Sequence, residues 1–282
     1  MSLIKSTSSI NKIGLGTVQF GVDYGISNAS GKTAEEEVRR ILEFASANHI
    51  ETVDTASAYG DAEEVLGRSD VSNFAVVSKF LPGAIRPQLL ASLDKLQIPS
   101  LYGYIAHRPM SIVENPHGWE ELEIYKREGK VKKIGFSFND LDEMEQVLEA
   151  GFTPDLIQVP FNYFDRRFIP SVQELKRNGC EIHTRSTFLQ GLFFCNPIEL
   201  GDHFDDVKPI LSELRTHGDA LPALLLKWVI ETEFVDKVVV GVNNLVQLKG
   251  NINSLLSVDG ELGSLKQIIS DDILMPSRWP KK

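Results

Sequence analysis

The chain has 282 residues, of which 42% are apolar and 24% are charged, a composition typical of a globular protein with a large core. Its net charge of −10 comes without a basic cluster, which argues against nucleic acid as a partner. The N-terminal stretch MSLIKSTSSINK lacks the apolar core of a signal peptide, and Lys227 interrupts the most apolar later stretch, 221–230. We therefore expect a cytoplasmic protein that binds neither nucleic acid nor a membrane.

Short β-rich apolar runs alternate with longer amphipathic runs along the whole chain, a pattern that predicts a parallel sheet with crossover helices. The predicted strands are Ile13–Thr17, Glu51–Asp54, Phe74–Ser78, Tyr102–Ala106, Lys133–Phe136, Leu156–Pro160, Glu181–Thr184 and Lys237–Gly241. Eight parallel strands are the number that closes a barrel and removes both sheet edges.

The first predicted helix runs from Thr33, its N-cap three residues before Glu36, to about Asn48. The other predicted helices are Pro87–Leu96, Trp119–Glu128, Leu141–Glu149, Pro170–Arg177, Pro222–Ile230 and Val246–Leu255. A rule of about 150 residues per domain suggests two domains, but α/β barrels of about 250 residues are single domains. Because no linker or low-complexity segment interrupts the pattern, we predict a single α/β domain over residues 1–282, a (β/α)8 TIM barrel.

The two cysteines, Cys180 and Cys195, lie in different contexts without CxxC spacing. This spacing indicates neither a zinc site nor a disulfide framework, and we expect no metal.

Reactive side chains follow three consecutive predicted strands, at the end of the barrel where active sites lie. Asp54 ends the second strand, Lys79 follows the third, and His107 follows the fourth; Tyr59 comes five residues after Asp54. Each residue taken singly has a structural explanation, such as a buried ion pair or a packed ring. Their joint placement on one face of a barrel predicts a catalytic group.

These residue types suit the reduction of a carbonyl group. A phenol has a pKa of about 10 and donates a proton near neutral pH only when a neighbour stabilises the phenolate. The Lys79 ammonium would do so, and the Asp54 carboxylate would hold that ammonium in place. A carbonyl oxygen that becomes an alkoxide needs a proton donor and a second hydrogen-bond donor, for which Tyr59 and His107 are the candidates.

The sequence resembles the aldo-keto reductase family over nearly its whole length. The resemblance is carried by the segments GLGT, DTASAYGDAEEVLG, VVSKF, AHRP, GKVKKIGFS, QVPFN, FLQGL, VVVGVNNLVQLKGNI and ILMPSRWP. The family's tetrad of Asp, Tyr, Lys and His falls on Asp54, Tyr59, Lys79 and His107. The resemblance implies a barrel enzyme that transfers hydride from NADPH, with NADH as the alternative, to a small aldehyde or ketone.

The resemblance also implies a set of cofactor contacts. Gly16, Thr17 and Asp54 would lie at the nicotinamide end, Ser137 and Gln158 at its carboxamide, Ser186, Leu189 and Gly191 along the pyrophosphate, and Gly241, Asn243, Gln247 and Asn251 around the adenosine. The segment 14–16 lacks the third glycine of a Rossmann fingerprint, and the barrel provides a different cofactor groove.

Three positions depart from the family pattern. Arg185 stands where many members have an aromatic residue that stacks on the nicotinamide, so it is expected either to stack there itself or to turn away to a carboxylate. Gly241 and Gln247 stand where NADPH-preferring members have a Lys and an Arg. Without these cations the preference for NADPH is expected to be weak, unless Lys249 substitutes.

The short C-terminal tail, residues 264–282, is expected near the substrate pocket and leaves that pocket open. Aromatic candidates for its lining are Phe20, Tyr24, Trp119, Phe161 and Trp279.

Two other functions stay open at this point. One is a cofactor-bound sensor or interaction subunit with slow turnover, which the altered cofactor positions suggest. The other is a lyase that uses Lys79 as a Schiff-base amine. A monomer or weak homo-oligomer is expected, and the sequence does not specify which carbonyl compound is reduced.

Overall fold

Eight parallel strands form a closed barrel in the computed structural model, which describes residues 9–25, 28 and 31–280. The strands are β1 (Ile13–Gly16), β2 (Thr52–Asp54), β3 (Ala75–Phe80), β4 (Leu101–Ala106), β5 (Val131–Ser137), β6 (Leu156–Pro160), β7 (Glu181–Arg185) and β8 (Lys237–Gly241). Each strand pairs with the next, and β8 pairs with β1 to close the ring. The predicted (β/α)8 fold is confirmed.

Helices connect the strands on the outside of the barrel. They are α1 (Val18–Gly21), α2 (Glu35–Ala47), α3 (Ala62–Arg68), α4 (Ile85–Leu96), α5 (Met110–Glu114), α6 (His117–Arg127), α7 (Leu141–Glu149), α8 (Ile169–Arg177), α9 (Lys208–Leu214), α10 (Leu221–Ile230), α11 (Leu245–Ser257) and α12 (Asp271–Leu274). Short 3₁₀ segments cover Leu189–Phe194, Pro197–Glu199, Asp202–Val207, Arg215–Ala220 and Pro276–Arg278. All seven predicted helices are present, with ends within two residues of the prediction.

The predicted capping role of Thr33 is wrong. Helix α2 begins at Glu35, and Ala34 occupies the N-cap position without a side-chain bond. The Thr33 hydroxyl instead donates to the carbonyl oxygen of Asn243 (3.1 Å), which joins the segment before α2 to the loop after β8.

The main core lies between the strands and the outer helices, because alternate strand residues face outward onto the apolar faces of those helices. Inside the barrel, Val77, Ile105 and Leu156 form a separate small cluster. A Cβ at Gly103 would lie 3.1 Å from Val77 and 3.5 Å from Leu156, so a side chain there has little room. The interior is therefore packed, and only its upper end is open to a ligand.

A polar network fills the barrel interior near the amino-terminal ends of the strands. The Glu181 carboxylate accepts hydrogen bonds from Tyr102 Oη (2.6 Å) and pairs with His183 Nε2 (2.7 Å) and with Lys133. Burial raises the pKa of Glu181, but the hydrogen bonds and charges of His183, Lys133 and Tyr102 outweigh it and leave the pKa well below its usual range. At this end of a barrel such a network contributes to stability.

A second apolar cluster covers the loops at the opposite end of the barrel. It brings Tyr163 and Phe164, which follow β6, together with the 3₁₀ segment after β7 and with Ile273 and Leu274 of α12. The C-terminal segment is thereby fixed over the carboxyl ends of the strands.

Cys180 and Cys195 form no disulfide. No helix among the described residues has the length and apolarity needed to cross a membrane. Within the same residues, no cluster of three His, Cys, Asp or Glu side chains could hold a metal ion.

Candidate active site

A cavity of about 780 Å³ opens at the carboxyl ends of the strands. Three of the four predicted catalytic residues line it, namely Asp54, Tyr59 and His107, and Lys79 lies directly beneath. Most of the predicted cofactor residues also line it: Gly16, Thr17, Asp54, Ser137, Gln158, Arg185, Ser186, Gly191, Gly241, Asn243, Gln247 and Asn251. Ser277 and its neighbours from residue 274 onward form part of the wall, so the C-terminal tail reaches this cavity.

A buried ion pair joins β2 to β3 at the floor of the cavity. Lys79 Nζ donates to Asp54 Oδ1 (2.6 Å) and to the Thr55 carbonyl oxygen (3.0 Å). Only 1% of the surface of Lys79 is exposed. Burial lowers the pKa of Lys79, but the charges of Asp54 and Tyr59 outweigh burial and raise it. A Schiff-base lysine must supply a neutral amine, so this environment argues against a lyase that uses Lys79.

The Tyr59 side chain lies above this ion pair. Lys79 Nζ is 5.2 Å from the centre of the Tyr59 ring, and the His107 ring meets the Tyr59 ring edge-on at 5.9 Å between centroids. The Lys79 ammonium and the His107 ring therefore both lie next to the Tyr59 side chain.

Two contacts hold the segment that carries Tyr59. On one side, the Gly21 backbone packs against the Tyr59 carbonyl so closely that an added Cβ would lie 1.7 Å from that oxygen. On the other side, Ser78 Oγ, next to Lys79 on β3, donates to the carboxyl group of the buried Glu63 (2.6 Å) on α3. The position of Tyr59 relative to Lys79 therefore depends on backbone contacts and on a buried hydrogen bond.

We expect Gly21→Ala to reduce both stability and activity. The new methyl group would meet backbone atoms, which cannot rotate away, so α1 or the Tyr59 segment must shift at a cost of about 1–3 kcal/mol. A displacement of about 1 Å in a catalytic group costs on the order of 100-fold in rate. Urea unfolding and steady-state kinetics measure the two effects.

Gly250→Ala is the matched control, because it adds the same methyl group where nothing lies within 4 Å in exposed helix α11. It should stabilise the protein slightly, by up to about 1 kcal/mol. Equal effects of the two substitutions would contradict the importance of the close approach at Gly21.

His107 is held in its neutral form. Burial lowers its pKa to about 4, with further contributions from the positive charges of Lys79, Arg108 and Arg185. Its Nδ1 atom is buried without a hydrogen-bond partner among the described residues. At neutral pH the ring can therefore donate a hydrogen bond into the cavity as an uncharged imidazole.

This low pKa predicts a contribution of His107 to acid destabilisation. Unfolded His107 binds a proton below about pH 6.5, whereas the folded protein resists protonation until about pH 4. The unfolded state therefore binds more protons in this window, and the free energy of unfolding falls by up to about 3 kcal/mol as the pH drops through it. In His107→Asn the fall should be smaller by that amount, as measured by urea unfolding at a series of pH values. An NMR titration in which the His107 ring changes charge near pH 6.5 would contradict the prediction.

Gln158 connects the ion pair to the far side of the barrel. Its Nε2 atom donates to Asp54 Oδ2 (2.7 Å), which leaves the amide oxygen Oε1 buried and without a partner among the described residues. Ser137 pairs with Gln158 in the sheet register and lines the same cavity. A planar ligand that carries an amide N–H donor would satisfy this oxygen, so the residues fit a nicotinamide carboxamide.

Arg185 extends from the end of β7 to the loop after β5. Its Nη2 atom donates to the Phe138 carbonyl oxygen (3.0 Å) and to Asn139 Oδ1 (2.7 Å). The alternative that Arg185 turns away to a carboxylate is therefore wrong, because its partners are neutral oxygens and the residue lines the cavity.

The chain bends sharply after Arg185, where a phosphate-binding segment was predicted. Ser186, Leu189, Gln190 and Gly191 all have positive φ values, of 65°, 43°, 51° and 94°. The Leu189 side chain is buried in the second apolar cluster, and of the predicted cofactor residues it is the one outside the cavity lining. Its backbone N–H donates to the Ser186 carbonyl oxygen.

The opposite end of the cavity, near α11, is lined by neutral side chains. Gln247 Oε1 accepts from the Asn243 backbone N–H (2.7 Å), and Asn251 lies one turn further along the helix. Lys249 does not substitute for a missing cation, because its Nζ atom lies 5.2 Å from the centre of the Phe44 ring of α2 and the residue does not line the cavity.

Of the five aromatic candidates for the substrate pocket, Tyr24 lines the cavity. The other four predictions are wrong, because these rings pack in apolar clusters. Phe20 is fully buried in the main core, Trp119 stacks on Phe136, Phe161 stacks on Trp228, and Trp279 packs against Phe204.

Sequence reasoning missed other residues of the cavity wall, among them Gln19, Arg108, Phe188 and Gln190. Arg108 directly follows His107, so its position at a strand end was a signal that the prediction did not use. Gln190 Nε2 donates to Tyr24 Oη (3.0 Å), a contact between residues that are 166 positions apart and that the sequence could not predict.

Comparison with known proteins gives a match to one family model and to solved structures with a similar fold. The family model described as the aldo/keto reductase family matches residues 12–269. An aldo-keto reductase of Bacillus halodurans in its holo form is 19% identical, over 89% of this chain and 88% of that chain, with a TM-score of 0.68. An aldo/keto reductase of Klebsiella pneumoniae, solved in complex with NADP and acetate, is 22% identical over 94% and 91%, with a TM-score of 0.64. These two structures share the barrel fold with this chain. A search of curated proteins gives no match.

Proposed function

The chain belongs to the aldo/keto reductase family, and from this premise we propose that it is an NAD(P)H-dependent reductase of aldehydes or ketones. The observation that carries the proposal is the buried Asp54–Lys79 pair beneath Tyr59 and His107, at the open end of the barrel. When bound, NAD(P)H supplies the hydride for the carbonyl carbon.

In this proposal Tyr59 is the general acid. Lys79 stabilises the phenolate that remains after Tyr59 has given its proton to the carbonyl oxygen, because its charge lies close to the ring. Asp54 keeps Lys79 charged and in place. His107, neutral at physiological pH, donates a second hydrogen bond to the carbonyl oxygen as negative charge develops there.

The nicotinamide carboxamide would meet Gln158 Oε1 and Ser137, at the same side of the cavity as Gly16 and Thr17. Ser186 and Gly191 would follow the pyrophosphate, and Gly241, Asn243, Gln247 and Asn251 would surround the adenosine. The bound NADP of the Klebsiella pneumoniae protein supports this choice of cofactor.

The neutral lining near α11 leads us to propose that the chain binds NADH about as well as NADPH. A 2′-phosphate there would gain no charge-assisted hydrogen bond from Gly241, Asn243 or Gln247. A hydrogen bond of this kind is worth about 1.5–3 kcal/mol when a cation provides it.

Fluorescence titration with each cofactor, followed by a panel of neutral aldehydes and ketones, tests the proposal. We expect binding of both cofactors and their oxidation by at least one carbonyl compound. Tight cofactor binding with negligible turnover over the whole panel would favour a cofactor-bound sensor instead. Absence of cofactor binding would overturn the proposal.

A further inference from the structure

Two guanidinium groups, those of Arg108 and Arg185, line the cavity without an ion-pair partner among the described residues. Building on the proposed function, we propose that the carbonyl substrate carries an oxyanion group, a carboxylate or a phosphate ester, which these two arginines bind. A substrate of this class would supply the negatively charged partner that neither arginine has among the described residues.

Both arginines lie close to the proposed reaction centre. Arg108 directly follows His107, and its guanidinium donors make no hydrogen bond to a described residue. Arg185 pairs with Pro160 of β6 in the sheet register and reaches the loop after β5, and it lines the same cavity as Gln158. Burial is the main cause of the low pKa of His107, and the charges of Lys79, Arg108 and Arg185 lower it further, so both arginines lie near His107.

Three carboxylates line the same cavity, those of Asp54, Asp140 and Glu143, but none of them forms an ion pair with Arg108 or Arg185. Asp54 is already paired with Lys79. Asp140 Oδ1 accepts from the Glu143 backbone N–H, and Glu143 Oε2 accepts from the Asn139 backbone N–H, each at 2.9 Å. Elsewhere in this acidic chain, arginines such as Arg68 and Arg167 pair directly with Glu or Asp. Arg108 and Arg185 differ from these paired arginines, because their guanidinium groups keep donors available for an anionic ligand.

The hydrogen bonds of Arg185 fix its position without cancelling its charge. Its two strong partners are a backbone carbonyl oxygen and an amide oxygen, which are neutral acceptors. Nε and part of Nη1 stay available, because the contact of Nη1 to Ser186 Oγ is long at 3.4 Å. A fixed planar guanidinium with remaining donors is suited to a carboxylate or phosphate.

The pyrophosphate of the cofactor is the competing anion, and the experiment must separate the two. We would compare 4-formylbenzoate with its neutral methyl ester, because both carry the same aldehyde and differ mainly in charge. The ratio of their kcat/KM values is expected to favour the acid about tenfold or more. Arg108→Gln and Arg185→Gln should each reduce this ratio about tenfold. Arg86→Gln, which removes a positive charge on α4 outside the cavity, is the matched control and should leave the ratio unchanged.

Calorimetry with benzoate, an unreactive carboxylate, provides a readout that does not require turnover. We expect benzoate to bind the wild-type chain, both with and without NADH, and to bind each arginine variant about tenfold more weakly while NADH affinity is retained. Equal kcat/KM values for acid and ester, or no binding of benzoate, would overturn the inference. A loss of NADH affinity without a change in the acid-to-ester ratio would assign the arginines to the cofactor and also overturn it. If no aldehyde is reduced, the proposed function fails, and the benzoate titration still tests the anion site.

Discussion

Tyr59→Phe is expected to reduce carbonyl turnover by roughly 10²- to 10⁴-fold, the contribution that a positioned general acid makes. The substitution removes the phenol oxygen and keeps the ring, so the edge-on contact with His107 and the packing over Lys79 are preserved. Cofactor affinity should change little, because the proposed cofactor contacts lie on other residues. Steady-state kinetics and fluorescence titration measure the two quantities separately.

The phenol of Tyr24 lines the same cavity and provides a control for this prediction. Its hydroxyl accepts a hydrogen bond from the neutral amide of Gln190. Tyr24→Phe should therefore cost far less than Tyr59→Phe. If Tyr24→Phe abolished turnover and Tyr59→Phe did not, the assignment of the general acid would be wrong. Tyr125→Phe removes a hydroxyl from outer helix α6 and controls for the loss of a phenol as such.

The barrel could be predicted from the sequence because its local and global signals agree. Strands buried on both faces give short runs of β-branched residues, such as 237–241, and the amphipathic helices between them have a clear period. Helix α3 (Ala62–Arg68) was missed because seven residues are too few to show a clear helical period. The 3₁₀ and helical segments over 189–220 were also missed, because their form depends on packing in the second apolar cluster.

The candidate site could be predicted in part for a similar reason. Parallel strands bring their carboxyl ends to one edge, so the positions of Asp54, Lys79 and His107 in the sequence suffice to place them together. The contact of Gln158 with Asp54 joins residues 104 positions apart across the barrel, and no local pattern indicates it. The same holds for Lys249, whose direction toward Phe44 depends on how α11 packs against α2.

The single-domain organisation over residues 1–282 and a monomeric or weakly oligomeric state stay predictions. Size-exclusion chromatography with light scattering measures the second directly.

Lys79→Met is expected to lower the free energy of unfolding by about 3–5 kcal/mol, because it leaves the Asp54 carboxylate buried without its cation. The remaining hydrogen bond from Gln158 satisfies one carboxylate oxygen but does not balance the charge. Urea unfolding of the wild-type chain and of the variant measures the loss.

The double variant Asp54→Asn/Lys79→Met decides between a charge effect and a loss of packing. If the cost of Lys79→Met arises from an unpaired buried charge, removing the charge of Asp54 as well should recover most of it, and the two substitutions will be strongly non-additive. If the cost arises from the lost contacts of the lysine chain, the losses will add. Additive losses would mean that Asp54 and Lys79 are not coupled in the folded protein. They would remove the basis for the proposal that Asp54 keeps the ammonium charged beneath Tyr59.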